Sequence, residues 1–381
     1  MKIVFLMRFM FPYGTAYAMR ARSICKLLEK AGHDVHVIAE NECICSEKNR
    51  TEFSYETLYG NEITILQKIF SRYQSIKALK NYCKKNKVDC IISSALFDRF
   101  KMVATVSKKN NIRYIVENCE WYDSSNFKLG RLDPRFYQNE KMIKKDFRKA
   151  DGFISISRLL HEHNEGLGKK SVRIPTILDV ENTPYSETTN NKKITIVYTG
   201  TPGKSKEYLL PPIKALAENE KLRERIEFHI YGPTYETVLN NIGNNEELLK
   251  RAGESVVIHG RIPQNEVQDV LTKADYLLFL RPDRHSSHAG FPTKLGESFA
   301  VGTPVIANNT GDLSLYIKTA ENGFLLDSFE TNAVHAAFTQ IADLNSEEYK
   351  NIRIRARKTA EKCFDYRKYA DEINDLLGEQ K

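Results

Sequence analysis

Short runs rich in β-branched residues alternate along the chain with longer runs of helical period. In the first half, Lys2–Met7, His33–Glu40, Asp89–Ala95, Arg113–Cys119, Gly152–Ser157 and Ser171–Thr176 read as strands. Between them, Tyr17–Ala31, Ile65–Lys85 and Asn139–Lys149 read as helices. Strands that alternate with helices predict a parallel sheet covered on both faces. The apolar period stops at Asp179–Lys193 (DVENTPYSETTNNKK) and then restarts. The second set of strands is Ile194–Thr199, Ile226–Tyr231, Ser255–His259, Tyr276–Leu280, Pro304–Asn308 and Gly323–Leu326, followed by a charged helical stretch, Ser346–Leu377. The polar stretch reads as a linker. It divides the chain into a domain over 1–180, a linker over 181–193, a domain over 194–363 and a C-terminal helix over 364–381. The predicted fold class is α/β: two Rossmann-like domains facing across a cleft, with a C-terminal helix able to return to the first domain. Ligands of such sheets bind beyond the carboxyl ends of the strands, so the chemistry is sought just after each strand.

Composition adds limits rather than a function. The chain has 381 residues, 41% hydrophobic and 28% charged, which suits two soluble domains. No run approaches the ~18–20 apolar residues of a membrane span. The apolar N-terminal run reads as a first strand rather than a secretion signal, so the expected location is the cytoplasm. Seven cysteines without a CxxC pair read as reduced thiols, and Cys43 and Cys45 lack a second ligand pair for zinc. The net charge is +8, and the basic excess lies wholly in residues 1–185, with 32 Lys and Arg against 21 Asp and Glu. An anionic partner would suit that half, and so would a merely solubilising surface. Lys68–Lys87 and Lys141–Lys149 are basic helical stretches, the first interleaved with Phe70, Tyr73 and Tyr82. They suit either a membrane-surface face or solvated helix faces. No nucleic-acid-binding motif is present.

Several strand ends carry candidate chemistry. Phe11–Ala16 (FPYGTA) puts Gly14 between a strand and a helix, where backbone N–H groups can approach a phosphate or simply make a turn. It is not GxGxxG, which disfavours an oxidoreductase. Val197–Glu207 (VYTGTPGKSKE) ends a strand at Gly200 and then presents Lys204 and Lys206, two mobile cations suited to a diphosphate. Val256–Gly260 runs into Arg261, Ile262 and Pro263, a plain turn or a backbone edge that reads a base. The most specific stretch is Tyr276–Asn308 (YLLFLRPDRHSSHAGFPTKLGESFAVGTPVIAN). Its strand ends at Arg281, Pro292 opens a short helix, Gly302 closes it, and Glu297 lies inside it. The helix N-terminus would offer N–H groups to phosphate and sugar oxygens, and Glu297 would accept from ribose hydroxyls. His285 and His288, with Asp283 alone beside them, are thin for a metal site and read as polar loop residues.

The order GFP-T-K-L-x-E-S-x-A-x-G-T-P-V-I, with Gly200, Lys204, Lys206, HIYG (His229–Gly232) and IHGRIP (Ile258–Pro263), resembles the retaining glycosyltransferases of family 4, which have the GT-B fold. The wording of TGTPGK and LRPDR…AGFPTKLGES is similar to bacterial surface-polysaccharide members. The resemblance implies a hexosyltransferase that moves a sugar from a nucleoside diphosphate sugar to a hydroxyl acceptor with retention, without a metal or other cofactor. The acceptor it implies is a glycan or lipid-linked precursor, with the enzyme at the inner face of the membrane and no nucleic-acid partner. It implies Glu297 on the ribose, Lys204 or Lys206 and Arg281 on the diphosphate, and Gly290, Phe291 and Thr293 around the sugar and phosphate. Gly260 to Ile262, including Arg261, would meet the base, and Gly200 and Gly14 would approach the donor. Catalytic roles fall to Lys204, Arg281 and Glu120, the last in YIVENCEWYD, where it would orient the acceptor or stand as a surface carboxylate. Two positions depart from the family pattern. Ala289 stands where many relatives have the first Glu of Glu-x7-Glu, and Thr201 stands where many have Arg. A nucleotide-sugar epimerase of the same fold and a non-catalytic nucleotide-sugar-binding partner therefore remain alternatives.

Overall fold

A computed structural model describes residues 1–8, 10–42, 53–60, 64–203 and 206–378. The chain forms two compact units: residues 1–177, 288–291 and 366–381 make the first, and residues 178–287 and 292–365 make the second. Both are α/β units built on parallel sheets.

The first sheet contains β1 (Lys2–Leu6), β2 (Met10–Phe11), β3 (Asp34–Glu42), β4 (Ser54–Tyr59), β5 (Cys90–Ser94), β6 (Arg113–Asn118), β7 (Gly152–Ser155) and β8 (Lys170–Arg173). Its order is β2-β3-β1-β5-β6-β7-β8, with β4 paired to β3. The middle strands β1 and β5 are continuous buried runs, as expected of parallel strands covered on both faces. The helix Ala16–Lys30 starts where Thr15 accepts a hydrogen bond from the Ala18 N–H at 3.1 Å. The helix Ala370–Leu377 also belongs to this unit: Ile373, Leu376 and Leu377 are fully buried, and Arg113 donates to the Leu376 carbonyl at 2.8 Å.

The second sheet contains β9 (Ile194–Thr199), β10 (Ile226–Tyr231), β11 (Val256–Gly260), β12 (Tyr276–Phe279), β13 (Val305–Asn308) and β14 (Gly323–Leu326), in the order β11-β10-β9-β12-β13-β14. The chain steps outward from β9 to β11 and then returns to the other side of β9 as β12. The strand order therefore reverses between β9 and β12, and the crevice beyond their carboxyl ends is the topologically preferred ligand position.

Three local differences from the sequence pattern have physical causes. β2 and β4 were not among the expected strands; β4 is a half-exposed edge strand of sequence SYETLY, too polar to show a buried period. The expected helix Asn139–Lys149 is instead a helix over Pro134–Lys144 and a 3₁₀ turn over Asp146–Lys149. Asp133 caps the helix by accepting from the Arg135 N–H at 3.0 Å, and Pro134 follows at the first helical position. The polar stretch after Leu178 groups with the second unit although it forms no helix or strand. Its backbone is held by two buried cations on the helix Ser346–Cys363. Arg353 donates to the Ser186 carbonyl at 2.9 Å, and Arg357 donates to those of Thr183 at 2.7 Å and Val180 at 2.8 Å. Side-chain donors thus replace the ladder bonds this strap lacks.

No described helix is long and apolar enough to cross a membrane. Cys43 and Cys45 lie outside the described residues.

Candidate donor site in the second unit

Three neighbouring strands of the second sheet end in glycine: Gly200 after β9, Gly232 after β10 and Gly260 closing β11, all with positive φ. The Gly200 N–H donates to the Tyr231 carbonyl at 3.0 Å, and the Gly232 N–H donates to the Gly260 carbonyl at 2.6 Å. A Cβ built on Gly232 would lie 2.1 Å from the Gly200 carbonyl oxygen, so the chain ends touch backbone to backbone. The result is a ledge with no side chains of its own, which lets a ligand approach the backbone closely.

Beyond β12 the chain is pinned by Asn308. Its side-chain oxygen accepts from the Arg281 N–H at 2.8 Å, and its side-chain amide donates to the Arg281 carbonyl at 2.8 Å. The Arg281 guanidinium is nearly buried and donates to the Ser287 carbonyl at 3.0 Å, which ties it to the loop that follows. His285–Ala289 forms a short helix where a polar loop was expected. Among the described residues, no group of three or more His, Cys, Asp or Glu side chains is placed to hold a metal ion.

The next helix is Thr293–Ala300, with Pro292 as its cap residue rather than its first helical residue. Gly302, at φ +82°, follows the helix end and packs so closely on the Ser186 carbonyl that a Cβ would lie 2.8 Å from it. Within the helix, Leu295, Ser298 and Phe299 are buried. Lys294 and Glu297, three residues apart, share a different face.

Lys294 is held by several neighbours. Its ammonium pairs with Glu207, the two side chains being 16% and 5% exposed. Its Nζ lies 4.2 Å from the ring centre of Tyr198 on β9 and 6.0 Å from that of Phe279 on β12. The cation therefore sits at the reversal point of the sheet. Glu207 also accepts a hydrogen bond from the Tyr198 hydroxyl. Burial pushes the Lys294 pKa down, with Glu207 opposing the shift. Burial pushes the Glu297 carboxyl up, and here Lys294 opposes it.

Of the residues singled out in the sequence, the second unit brings together Gly200, Lys206, Thr293 and Glu297, with Gly260 and Arg261 at the outer end of the glycine ledge. Lys206 is exposed and close enough to Lys294 to disfavour its charge. Arg261 is exposed beyond β11. Lys204 lies outside the described residues. Ala289, Gly290 and Phe291 are buried and group with the first unit. Gly14 occupies an exposed turn at φ +99° in the first unit. Glu120 is exposed after β6, beside buried Trp121, whose indole N–H donates to Glu140 at 2.6 Å. The buried carboxylate at that strand end is Glu117. It pairs with buried Arg20 at 2.5 Å and accepts from the Tyr17 hydroxyl at 2.9 Å.

Sequence reasoning missed Lys294, Glu207 and Tyr198. A signal for Lys294 was present, because it stands three residues before Glu297 in the same short helix. Glu207 carried none: its partner is 87 residues away in the chain.

Residues 179–359 match the family model described as Glycosyl transferases group 1. No curated protein matches the sequence. Among solved structures, the chain is similar to Anabaena Alr3699/HepE in complex with UDP-glucose, at 14% identity and a TM-score of 0.70, covering 99% of each chain. It is also similar to sucrose-phosphate synthase from Thermosynechococcus elongatus, at 15% identity and a TM-score of 0.71, covering 99% of this chain and 98% of that one. A third similar structure is the apo form of the lipopolysaccharide outer core galactosyltransferase WaaB, at 17% identity and a TM-score of 0.62, covering 99% of each chain. Residues 179–359 thus carry a glycosyl transferases group 1 domain, in a chain whose two parallel-sheet units have the GT-B fold.

Proposed function

We propose that the protein is a retaining glycosyltransferase that moves a hexosyl group from a nucleoside diphosphate sugar to a hydroxyl acceptor. The observation that carries this reading is the face of Lys294 and Glu297 at the reversal point of the second sheet, beside the glycine ledge. Cations there suit a diphosphate, a carboxylate suits ribose hydroxyls, and bare backbone suits the close approach of a nucleotide. In the proposed reaction the bond from the anomeric carbon to the diphosphate breaks, and the diphosphate takes the electron pair. The acceptor oxygen attacks from the face the diphosphate leaves, and its proton passes to a diphosphate oxygen. Lys206 and Arg281 join Lys294 in stabilising the charge that grows on the leaving group, without a metal ion. Glu297 fixes the ribose, and Arg261 with Gly260 meets the base.

The acceptor is proposed to be a lipid-linked glycan or another surface-polysaccharide precursor at the inner face of the membrane. The basic excess of residues 1–185 supports this, as do Phe70 and Tyr73, which are 53% and 51% exposed on the helix Ile65–Lys85. Glu120 of the first unit is the proposed orienting group for the acceptor hydroxyl.

UDP-sugars are the first donors to test, because the similar Anabaena protein was crystallised with UDP-glucose. Donor turnover followed by proton NMR is expected to release the nucleoside diphosphate and to deliver the sugar, to acceptor or water, in its original anomeric configuration. A product of opposite configuration would overturn retention. Interconversion to an epimer without loss of nucleotide would replace the transferase with an epimerase.

A further inference from the structure

We infer that Lys294 is the principal diphosphate-binding cation of the second unit, and that Glu207 is the residue that positions it. The inference deepens the reading of a nucleotide-sugar site and rests on it.

Four observations carry it. The Lys294 ammonium lies between the carboxyl ends of β9 and β12, within reach of the Tyr198 and Phe279 rings. The strand order reverses there, and parallel sheets admit ligands at such a point. It also overhangs the backbone of Gly200: a Cβ added to that glycine would meet Lys294 Cε at 3.1 Å and Nζ at 3.2 Å. A phosphate approaching the bare end of β9 would meet this cation. Thr201, the next residue, is uncharged, and the helix Thr293–Ala300 places Lys294 over this strand end. Finally, Lys294 is held on both sides. Glu207 takes its ammonium and the Tyr198 hydroxyl together, and the Tyr198 ring lies beneath the ammonium.

Such a holder keeps a long, flexible side chain in one place before any ligand arrives, so little of its freedom is lost on binding. Glu207 satisfies one side of the ammonium. The remaining donors suit the oxygens of a diphosphate, which bears more charge than a monophosphate and far more than a nucleoside. The role of Lys294 therefore differs from that of Glu297: it reads the phosphates, not the ribose or the base.

The test is calorimetric titration of the full chain with UDP, GDP and ADP, each beside its nucleoside, on the wild type and on Lys294→Met. The wild type is expected to prefer one diphosphate over its nucleoside. Lys294→Met is expected to lose ~30-fold or more in affinity for that diphosphate, with nucleoside affinity held within about threefold. Removing one member of a buried pair can unfold a protein, so the double variant Lys294→Met/Glu207→Gln, which removes both charges, is read in the same way. Equal losses for diphosphate and nucleoside, or no loss for either, would make Lys294 a structural residue and overturn the inference. A wild type that prefers a diphosphate while the variants keep that preference defeats the Lys294 assignment alone. A wild type that binds none of the three defeats the donor reading together with it.

Discussion

Gly232→Ala is expected to destabilise the second unit by more than about 3 kcal/mol and to abolish nucleotide binding. The added Cβ would stand 2.1 Å from the Gly200 carbonyl oxygen and 2.8 Å from its carbonyl carbon. Both obstacles are backbone, which cannot swing aside as a flexible side chain would. At φ +114° an alanine is strained even without the clash. The site cannot relax without separating β9 from β10, and that separation would break the ledge on which the donor is proposed to rest. Gly243→Ala provides the control. That glycine also has positive φ, at +73°, but its Cβ would meet nothing within 4 Å, so only the backbone strain remains, about 1–2 kcal/mol. Urea unfolding of the two variants separates the effects. Equal losses of stability would contradict the close packing of the strand ends.

Glu297→Ala and Glu297→Gln are expected to weaken nucleoside diphosphate binding by about 10–100-fold while leaving the fold intact, the size expected for lost hydrogen bonds to a charged acceptor. The carboxyl is held above its ordinary pKa by burial, so it binds its proton more readily when folded than when unfolded. Ionised, it is a cost to the folded state that is fully present above the raised folded pKa and fades as pH falls below it. Glu297→Gln removes that cost, so its melting temperature should match or exceed that of the wild type at neutral pH. The same shift predicts the pH dependence of binding. Ribose hydroxyls need the ionised carboxylate as acceptor, so wild-type affinity should decline on the acid side, beginning at a higher pH than for an ordinary glutamate. In Glu297→Gln the part of the decline due to this group should vanish. A variant that binds as tightly as the wild type would remove Glu297 from the site.

The sequence made the strand ends legible and left the tertiary meeting points hidden. Alternating apolar runs marked the central strands because buried parallel strands are apolar on both faces. The glycines after β9 and β10, and the one closing β11, stood out as glycines, but their backbone contact across strands depends on sheet order, which local periodicity does not encode. Glu297 stands out through its motif. Lys294 stands in the same motif, yet its importance comes from Glu207 and Tyr198, which meet it only after the sheet forms. Arg281 was expected on the diphosphate; in the structure its guanidinium donates to the Ser287 carbonyl. The strap after Leu178 looked like a linker because it lacks an apolar period; three of its carbonyls are met by Arg353 and Arg357, far along the chain. At β6 the exposed Glu120 drew attention, whereas Glu117, inside an apolar run, is the carboxylate that folding buries and pairs.

The second unit is proposed to hold the nucleotide half of a nucleotide-sugar donor. Calorimetric titration of the wild-type chain with UDP, GDP and ADP and their monophosphates, without added metal, tests it most directly. One nucleoside diphosphate is predicted to bind at a single site with a Kd in the micromolar range, about −8 kcal/mol, and more tightly than its monophosphate. Absence of binding by all three diphosphates at millimolar concentration, or equal affinity for mono- and diphosphate, would contradict the account.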